Sequence, residues 1–214
     1  FKNIIVFSKI PFEIYSKLKV SRIFLSYPCL ASNYRKKIRK ETLNSPKKFI
    51  HSGSISEYNV SEKSLMFLLE ICKNKNIEFI FTSNQKKIPN YFRYFVDNFP
   101  MNFKFYGNLS INKLESLLDQ VDFAMDLRDF DNLKDESSFC DFPSKLLLYL
   151  RKRLIVFSTM TNSINSEFKD NLFSIYDLDK INLANLKIDD NSLNKLLEDI
   201  NQRAIDQIII KIIK

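Results

Sequence analysis

Residues 139–158 read FCDFPSKLLLYLRKRLIVFS, and their reading decides the fold. A proline at 143 has φ already set for a first helical turn and no N–H to leave unpaired there. Ser144 and Lys145 follow in the same turn. A helix start carries unpaired N–H groups and partial positive charge, so an added hydroxyl and ammonium make an anion site suited to phosphate. Leu146 to Leu150 continue the helix, and the basic run Arg151 to Arg153 closes it. Leu154 to Phe157 then reads as a strand buried on both faces, the signature of a parallel sheet.

The same pattern repeats upstream. From residue 47 the sequence predicts a strand ending at Gly53, a helix capped by Ser61 and running to about Lys73, and a strand over 77–82. A helix over 86–98 broken near Pro89, a strand over 102–106 ending at Gly107, and a helix capped by Ser110 come next. Strands over 121–127 and 172–176 and a helix from 191 to 214 complete the series. Alternation at this spacing predicts an α/β, doubly wound parallel sheet of the Rossmann-like class. Before residue 47 the sequence predicts strands over 2–8 and 22–27, a short helix from Pro11 to Lys19, and a basic linker over 33–46.

Composition narrows the function classes. With 214 residues, 45% hydrophobic and 27% charged, the chain suits one sizeable core. It starts with Phe, so it reads as a piece of a longer protein. Cys29, Cys72 and Cys140 form no disulfide or zinc pattern, which suits a reducing compartment. No secretory leader or membrane-length apolar run is present. The net charge of +8 points to an anionic partner without choosing one. Richness in Lys, Asn, Ile and Phe, with only two glycines, also matches an AT-rich genome, which raises Lys for no functional reason.

In such sheets the ligand sits beyond the carboxyl ends of the strands, at the switch point. Gly53 and Gly107 both follow predicted strands, where either a tight turn or close ligand approach needs glycine. Arg128 follows the fourth strand and is either a phosphate ligand or half of a surface pair with Asp129 or Asp131. Gly53, Arg128, Ser144 and Lys145 converge on one predicted edge. His51 is the only histidine, and no partner is placed to build a triad with it. Glycine-rich phosphate loops are absent, and the acidic loop over 129–141 lacks calcium-loop spacing, so no metal or cofactor is expected.

The runs HSGSISE (51–57), FYGNLS (105–110), DFAMDLR (122–128) and FPSKLLLYLRKRLIVFST (142–159) resemble the donor-binding half of a GT-B glycosyltransferase. They are most similar to family-four enzymes of bacterial surface polysaccharide synthesis. The resemblance implies retaining, metal-independent transfer of a glycosyl group, such as a hexosyl, from a nucleotide sugar to a glycan or lipid-linked acceptor. It implies that Gly53, Arg128, Ser144 and Lys145 hold the donor diphosphate and that Tyr106, Gly107 and Asn108 border the nucleobase and ribose. No catalytic residue is assigned. By the same resemblance residues 1–46 are the tail of the acceptor-side half and a linker, 47–190 the nucleotide-sugar-binding domain, and 191–214 a helix crossing to the missing N-terminal half. The expected setting is cytoplasmic, with peripheral contact at the inner face of the membrane left open, and the segment alone is expected to bind donor but transfer little.

One departure is sharp. The family's two glutamates, eight residues apart, fall on Cys140 and Leu148. Losing the ribose-holding carboxylate costs roughly 1.5–3 kcal/mol of binding. A non-catalytic GT-B partner subunit is therefore the alternative. A nucleic-acid-binding module is a remote one, without a motif or stacking array to support it, so nucleic acid is not an expected partner.

Overall fold

The computed structural model describes residues 4–6, 23–25, 45–128, 130, 144–159, 170–199 and 202. Two short strands, β1 (Ile4–Val6) and β2 (Ile23–Leu25), pair in parallel with Ile4 opposite Ile23. The predicted helix over 11–19, Cys29 and most of the basic linker lie outside the described residues.

The larger sheet holds six parallel strands: β3 (Lys47–Ser52), β4 (Ile77–Thr82), β5 (Phe103–Phe105), β6 (Phe123–Asp126), β7 (Ile155–Ser158) and β8 (Leu172–Ser174). Their order across the sheet is β5-β4-β3-β6-β7-β8. The chain winds outward from β3 through β4 to β5, then returns to lay β6 on the other side of β3. That reversal opens a crevice at the carboxyl ends of β3 and β6. The doubly wound, Rossmann-like α/β class expected from the alternation is the observed one.

The helices are α1 (Glu62–Cys72), α2 (Asn90–Asn98), α3 (Ile111–Leu118), α4 (Ser144–Arg151) and α5, over residues 190–199. Ser61 caps α1 as expected, its hydroxyl accepting from the Ser64 N–H at 3.2 Å. Ser110 is the N-cap of α3, as expected, its carbonyl accepting from the Leu114 N–H at 2.9 Å, but its hydroxyl makes no cap bond. The helix predicted from 86 begins only at Asn90. Pro89 disfavours helical geometry at the residue before it, so the helix forms after the proline rather than across it.

The two faces of the sheet are packed differently. One is aromatic: Phe49, Phe79, Phe81, Phe103, Phe123 and Phe157 cluster there under Leu65, Leu68, Phe92 and Phe95 of α1 and α2. Phe49 is at its centre, with ring centroids 4.8 Å from Phe123, 5.4 Å from Phe157 and 5.6 Å from Phe79. The other face is aliphatic. Ile50, Ile80, Ala124 and Val156 meet Leu118 of α3, Leu146, Leu147, Tyr149 and Leu150 of α4, and Leu193 of α5. Residues beyond 199, apart from 202, lie outside the described residues, and with them the Ile-rich end of the last predicted helix.

The turn from α4 to β7 fixes where α4 points. The Arg153 N–H donates to the Leu150 carbonyl at 2.9 Å and the Leu154 N–H to the Tyr149 carbonyl at 3.0 Å. This is the Schellman closure, and its left-handed residue is Arg153, at φ 57°. Glycine ordinarily takes that position because a Cβ costs energy there. Arg153 does gain an ion pair, Nε to Asp190 Oδ1 at 3.4 Å, and a hydrogen bond from Nη2 to Asn194 on α5. Lys152, wholly buried beside it, reaches Asp119 Oδ1 at 3.2 Å and so ties α4 to the end of α3.

Two stability outcomes follow, both measurable by urea unfolding. Phe49→Ala removes the hub of the aromatic face and lowers stability by about 3–5 kcal/mol. Arg153→Gly relieves the left-handed turn and raises stability by about 1 kcal/mol, because its ion-pair partner Asp190 is 73% exposed and that pair contributes little.

Candidate functional site

Three elements meet at the crevice. β3 ends at Ser52 and is followed by Gly53, β6 ends at Asp126 and is followed by Leu127 and Arg128, and α4 begins at Ser144. Gly53 has φ +153°, a conformation side chains rarely adopt, and its N–H donates to the Thr82 carbonyl of β4 at 3.0 Å. The following loop is pinned by Gln85, whose Oε1 accepts from the Ile55 N–H at 2.6 Å. The Ser52 N–H donates to the buried Tyr149 hydroxyl of α4 at 2.8 Å. That bond sets the second turn of α4 against the end of β3, and burial raises the Tyr149 phenol well above its usual range.

Asp126 is the centre of the charge cluster. Its Oδ1 pairs with Lys145 Nζ at 2.8 Å, and its Oδ2 accepts from Arg128 Nε at 3.2 Å and Nη2 at 3.1 Å. Burial alone would raise its pKa, but Lys145 and Arg128 outweigh that and hold the carboxyl well below the usual range, so it is ionised. Burial pushes Lys145 down against the pull of Asp126. The Lys145 side chain keeps 18% exposure and Arg128 14%, against 3% for Asp126. The carboxylate is therefore the anchor, and the two cations are the groups that reach the crevice.

Gly53 lies directly against this cluster. A Cβ on Gly53 would sit 3.7 Å from Lys145 Nζ and 3.6 Å from His51 Nε2. The missing side chain thus leaves the backbone open beside an ammonium and an imidazole. His51 is fully buried, and among the described residues neither ring nitrogen has a hydrogen-bond partner. Burial first, then Lys145, lowers its pKa to about 3, with Asp126 working in the opposite direction. It is neutral in the free chain.

Of the residues singled out from sequence, Gly53, Arg128 and Lys145 are brought together. Ser144 begins α4 at the same place, its side chain lying outside the described residues, as do Phe142, Pro143, Cys140 and the acidic loop apart from Phe130. Arg128 is paired with Asp126, two residues before it, while Asp129 and Asp131, the partners weighed from sequence, lie outside the described residues. Tyr106, Gly107 and Asn108 lie on the same edge at the end of β5, two strands from β3, roughly 10 Å away by strand spacing. The Gly107 carbonyl accepts from the Ser83 N–H at 3.0 Å. Gly107 has φ +63° with nothing near its missing Cβ, so there the turn itself requires glycine. Tyr106 is 49% exposed. Leu148 packs, half-buried, against the aliphatic face.

Sequence reasoning missed two members of the site. Asp126 was given no role, and its position as the last residue of a central strand was the signal that it would be buried. His51 looked isolated, yet it stands two residues before a glycine at a strand end, which places it under the same turn. No group of metal-ligating side chains occurs among the described residues. None of the described helices is long and apolar enough to cross a membrane.

No family model and no curated protein matches the chain. Solved structures do. The lipopolysaccharide outer core galactosyltransferase WaaB superposes with a TM-score of 0.67 at 11% identity, over 97% of this chain and 61% of that one. AviGT4, a glycosyltransferase involved in avilamycin A biosynthesis, gives 0.65 at 12% identity, over 97% and 65%. TarM from S. aureus, in complex with UDP among other ligands, gives 0.60 at 12% identity, over 96% and 41%. The chain spans 41–65% of the length of these proteins. At such identities the likeness is one of architecture: the chain has the fold of the GT-B glycosyltransferases.

Proposed function

We propose that the chain is the donor-binding part of a glycosyltransferase and holds the diphosphate of a nucleotide sugar at the β3–β6 crevice. The observation that carries this reading is the Lys145 ammonium, held beside the bare backbone of Gly53 by a buried carboxylate at the first turn of a helix. Helix start, ammonium and guanidinium all favour an anion at that point. Glycosyl transfer leaves growing negative charge on the departing nucleoside diphosphate. Cations fixed in advance stabilise that charge more than they stabilise the bound donor. Tyr106, an exposed ring two strands along the same edge, offers a face for the nucleobase. The acceptor, a glycan or lipid-linked saccharide, is supplied from elsewhere, as is the other half of the site. The setting we infer is cytoplasmic, with the acceptor brought at the inner face of the membrane. UDP is bound in the TarM structure, which makes UDP-sugars the first donors to try.

A second reading has one observation in its favour. Leu148 stands one turn into α4, half-buried, where the resemblance places the carboxylate that holds the donor ribose. A chain that keeps the fold but not that carboxylate suits a non-catalytic partner of an active glycosyltransferase.

Isothermal calorimetry with UDP and GDP tests the first reading: saturable binding of one of them is expected. Lys145→Ala weakens it by at least about tenfold, the loss of one charge-assisted hydrogen bond to phosphate. Arg128 still neutralises Asp126 in that variant, so circular dichroism should show it folded. A folded wild-type chain that binds neither nucleotide overturns the donor-site reading and leaves the partner-subunit one.

A further inference from the structure

Three observations at the crevice are independent of each other. His51 is fully buried and neither ring nitrogen has a hydrogen-bond partner among the described residues. Its Nε2 lies 3.6 Å from where a Cβ on Gly53 would sit, and Lys145 Nζ lies 3.7 Å from the same point. Among the described residues the charge around it is unbalanced: two cations, Lys145 and Arg128, face one carboxylate, Asp126. The groups against the ring are Lys145 from α4, Asp126 and the Met125 backbone from β6, the Ser54 backbone after its own strand, and the Phe81 ring from β4 at 6.1 Å between centroids.

With His51 neutral the described members of the cluster carry one surplus positive charge. The diphosphate of a nucleotide sugar is a diester with two negative charges, so binding turns the surplus into a deficit of one. A buried cluster tolerates net charge poorly. A single proton on the imidazole restores balance, and it makes both ring nitrogens N–H donors, so that Nε2 donates toward phosphate oxygen whichever tautomer the neutral ring holds. We propose that His51 is a proton-coupled member of the anion site, neutral in the free chain and protonated from solvent when a diphosphate binds beside Gly53 and Lys145. This rests on the donor-site reading and deepens it. His51 acts here as a binding residue, and no bond of the ligand is made or broken.

The sign is fixed by the geometry. In the free chain burial and Lys145 keep the ring deprotonated down to about pH 3. The bound anion lies on the Lys145 side, offsets that cation, and raises the proton affinity of the ring. Binding then takes up a proton, so affinity rises as pH falls and is lost as pH climbs past the pKa of the complex.

UDP-glucose and GDP-mannose are the probes, because their diphosphates lack the phosphomonoester ionisation near pH 6 that would confuse the count. Calorimetry in two buffers of different ionisation enthalpy, between about pH 5.5 and 7.5, reads the proton uptake directly. The wild-type chain should bind one of the probes with uptake of a substantial part of a proton. Its affinity should rise on the order of three- to tenfold per pH unit lowered. His51→Gln should bind with no buffer-dependent heat and a flat pH profile. Because His51 is the only histidine, its ring NMR signal is unambiguous even if that variant does not fold, and it should move to the imidazolium position on saturation. Binding without uptake, or a ring signal that stays neutral on saturation, overturns the proton coupling and leaves the donor site standing. A folded wild-type chain that binds neither probe overturns both.

Discussion

A buried carboxylate governs this crevice. Asp126 ends the central strand β6 and is almost wholly removed from water. An unpaired charge in that position costs several kcal/mol, so the fold must bring cations to it. Arg128 comes from the same turn, but Lys145 comes from α4, and that pair fixes the first turn of α4 against the strand ends. The Tyr149 hydroxyl, one turn later, makes the second tie, to the Ser52 N–H of β3. Together they leave little freedom in how the helix start faces Gly53. Stability does not require ions there, because a well-packed apolar trio would hold as well. What the ions add is a positive group kept at the mouth of the crevice with its orientation set.

Position along the strands, rather than the packing faces, makes the crevice chemical. The aromatic face and the aliphatic face are both apolar over most of their length. Buried polarity gathers toward the strand ends, at His51, Thr82, Asp126 and Ser158 on the carboxyl side and at Glu78 near the start of β4. A parallel sheet ends all its strands on one side and starts the returning helices there, so unpaired N–H groups gather at that edge. The glycine at 53 then removes the one side chain that would cover them.

Much of the fold was legible because central parallel strands must be apolar on both faces. IEFIFT over 77–82 shows this, and its bounds are those of β4. The two glycines were legible as well, since a chain so poor in glycine keeps it where φ is positive, and both positions are. Helix ends were less so: Ser110 holds the N-cap of its helix with the backbone geometry of a cap but without the side-chain bond, and Pro89 shortened a helix that its periodicity would have extended. The site was legible in part. Lys145 and Gly53 could be placed on one edge from topology. The tie between Asp126 and Lys145, and the approach of His51 to both, arise from strands and a helix far apart in sequence. No local pattern encodes those contacts.

Net charge was the weakest guide, and the structure shows why. Lys152 reaches Asp119, and Lys48 and Lys104 both reach Glu78, at 3.8 and 2.5 Å. The Glu78 group has the same count as the crevice, two cations to one buried carboxylate. Yet it lies toward the start of its strand, Glu78 being the second residue of β4, with Lys48 the second of β3. No helix begins at that end of a parallel sheet, and no glycine opens the backbone to a ligand. Equal charge counts therefore have different consequences at the two ends. A surplus cation becomes an anion site only where helix N–H groups and bare backbone converge on it, and in the described sheet that convergence is at Gly53 and Lys145.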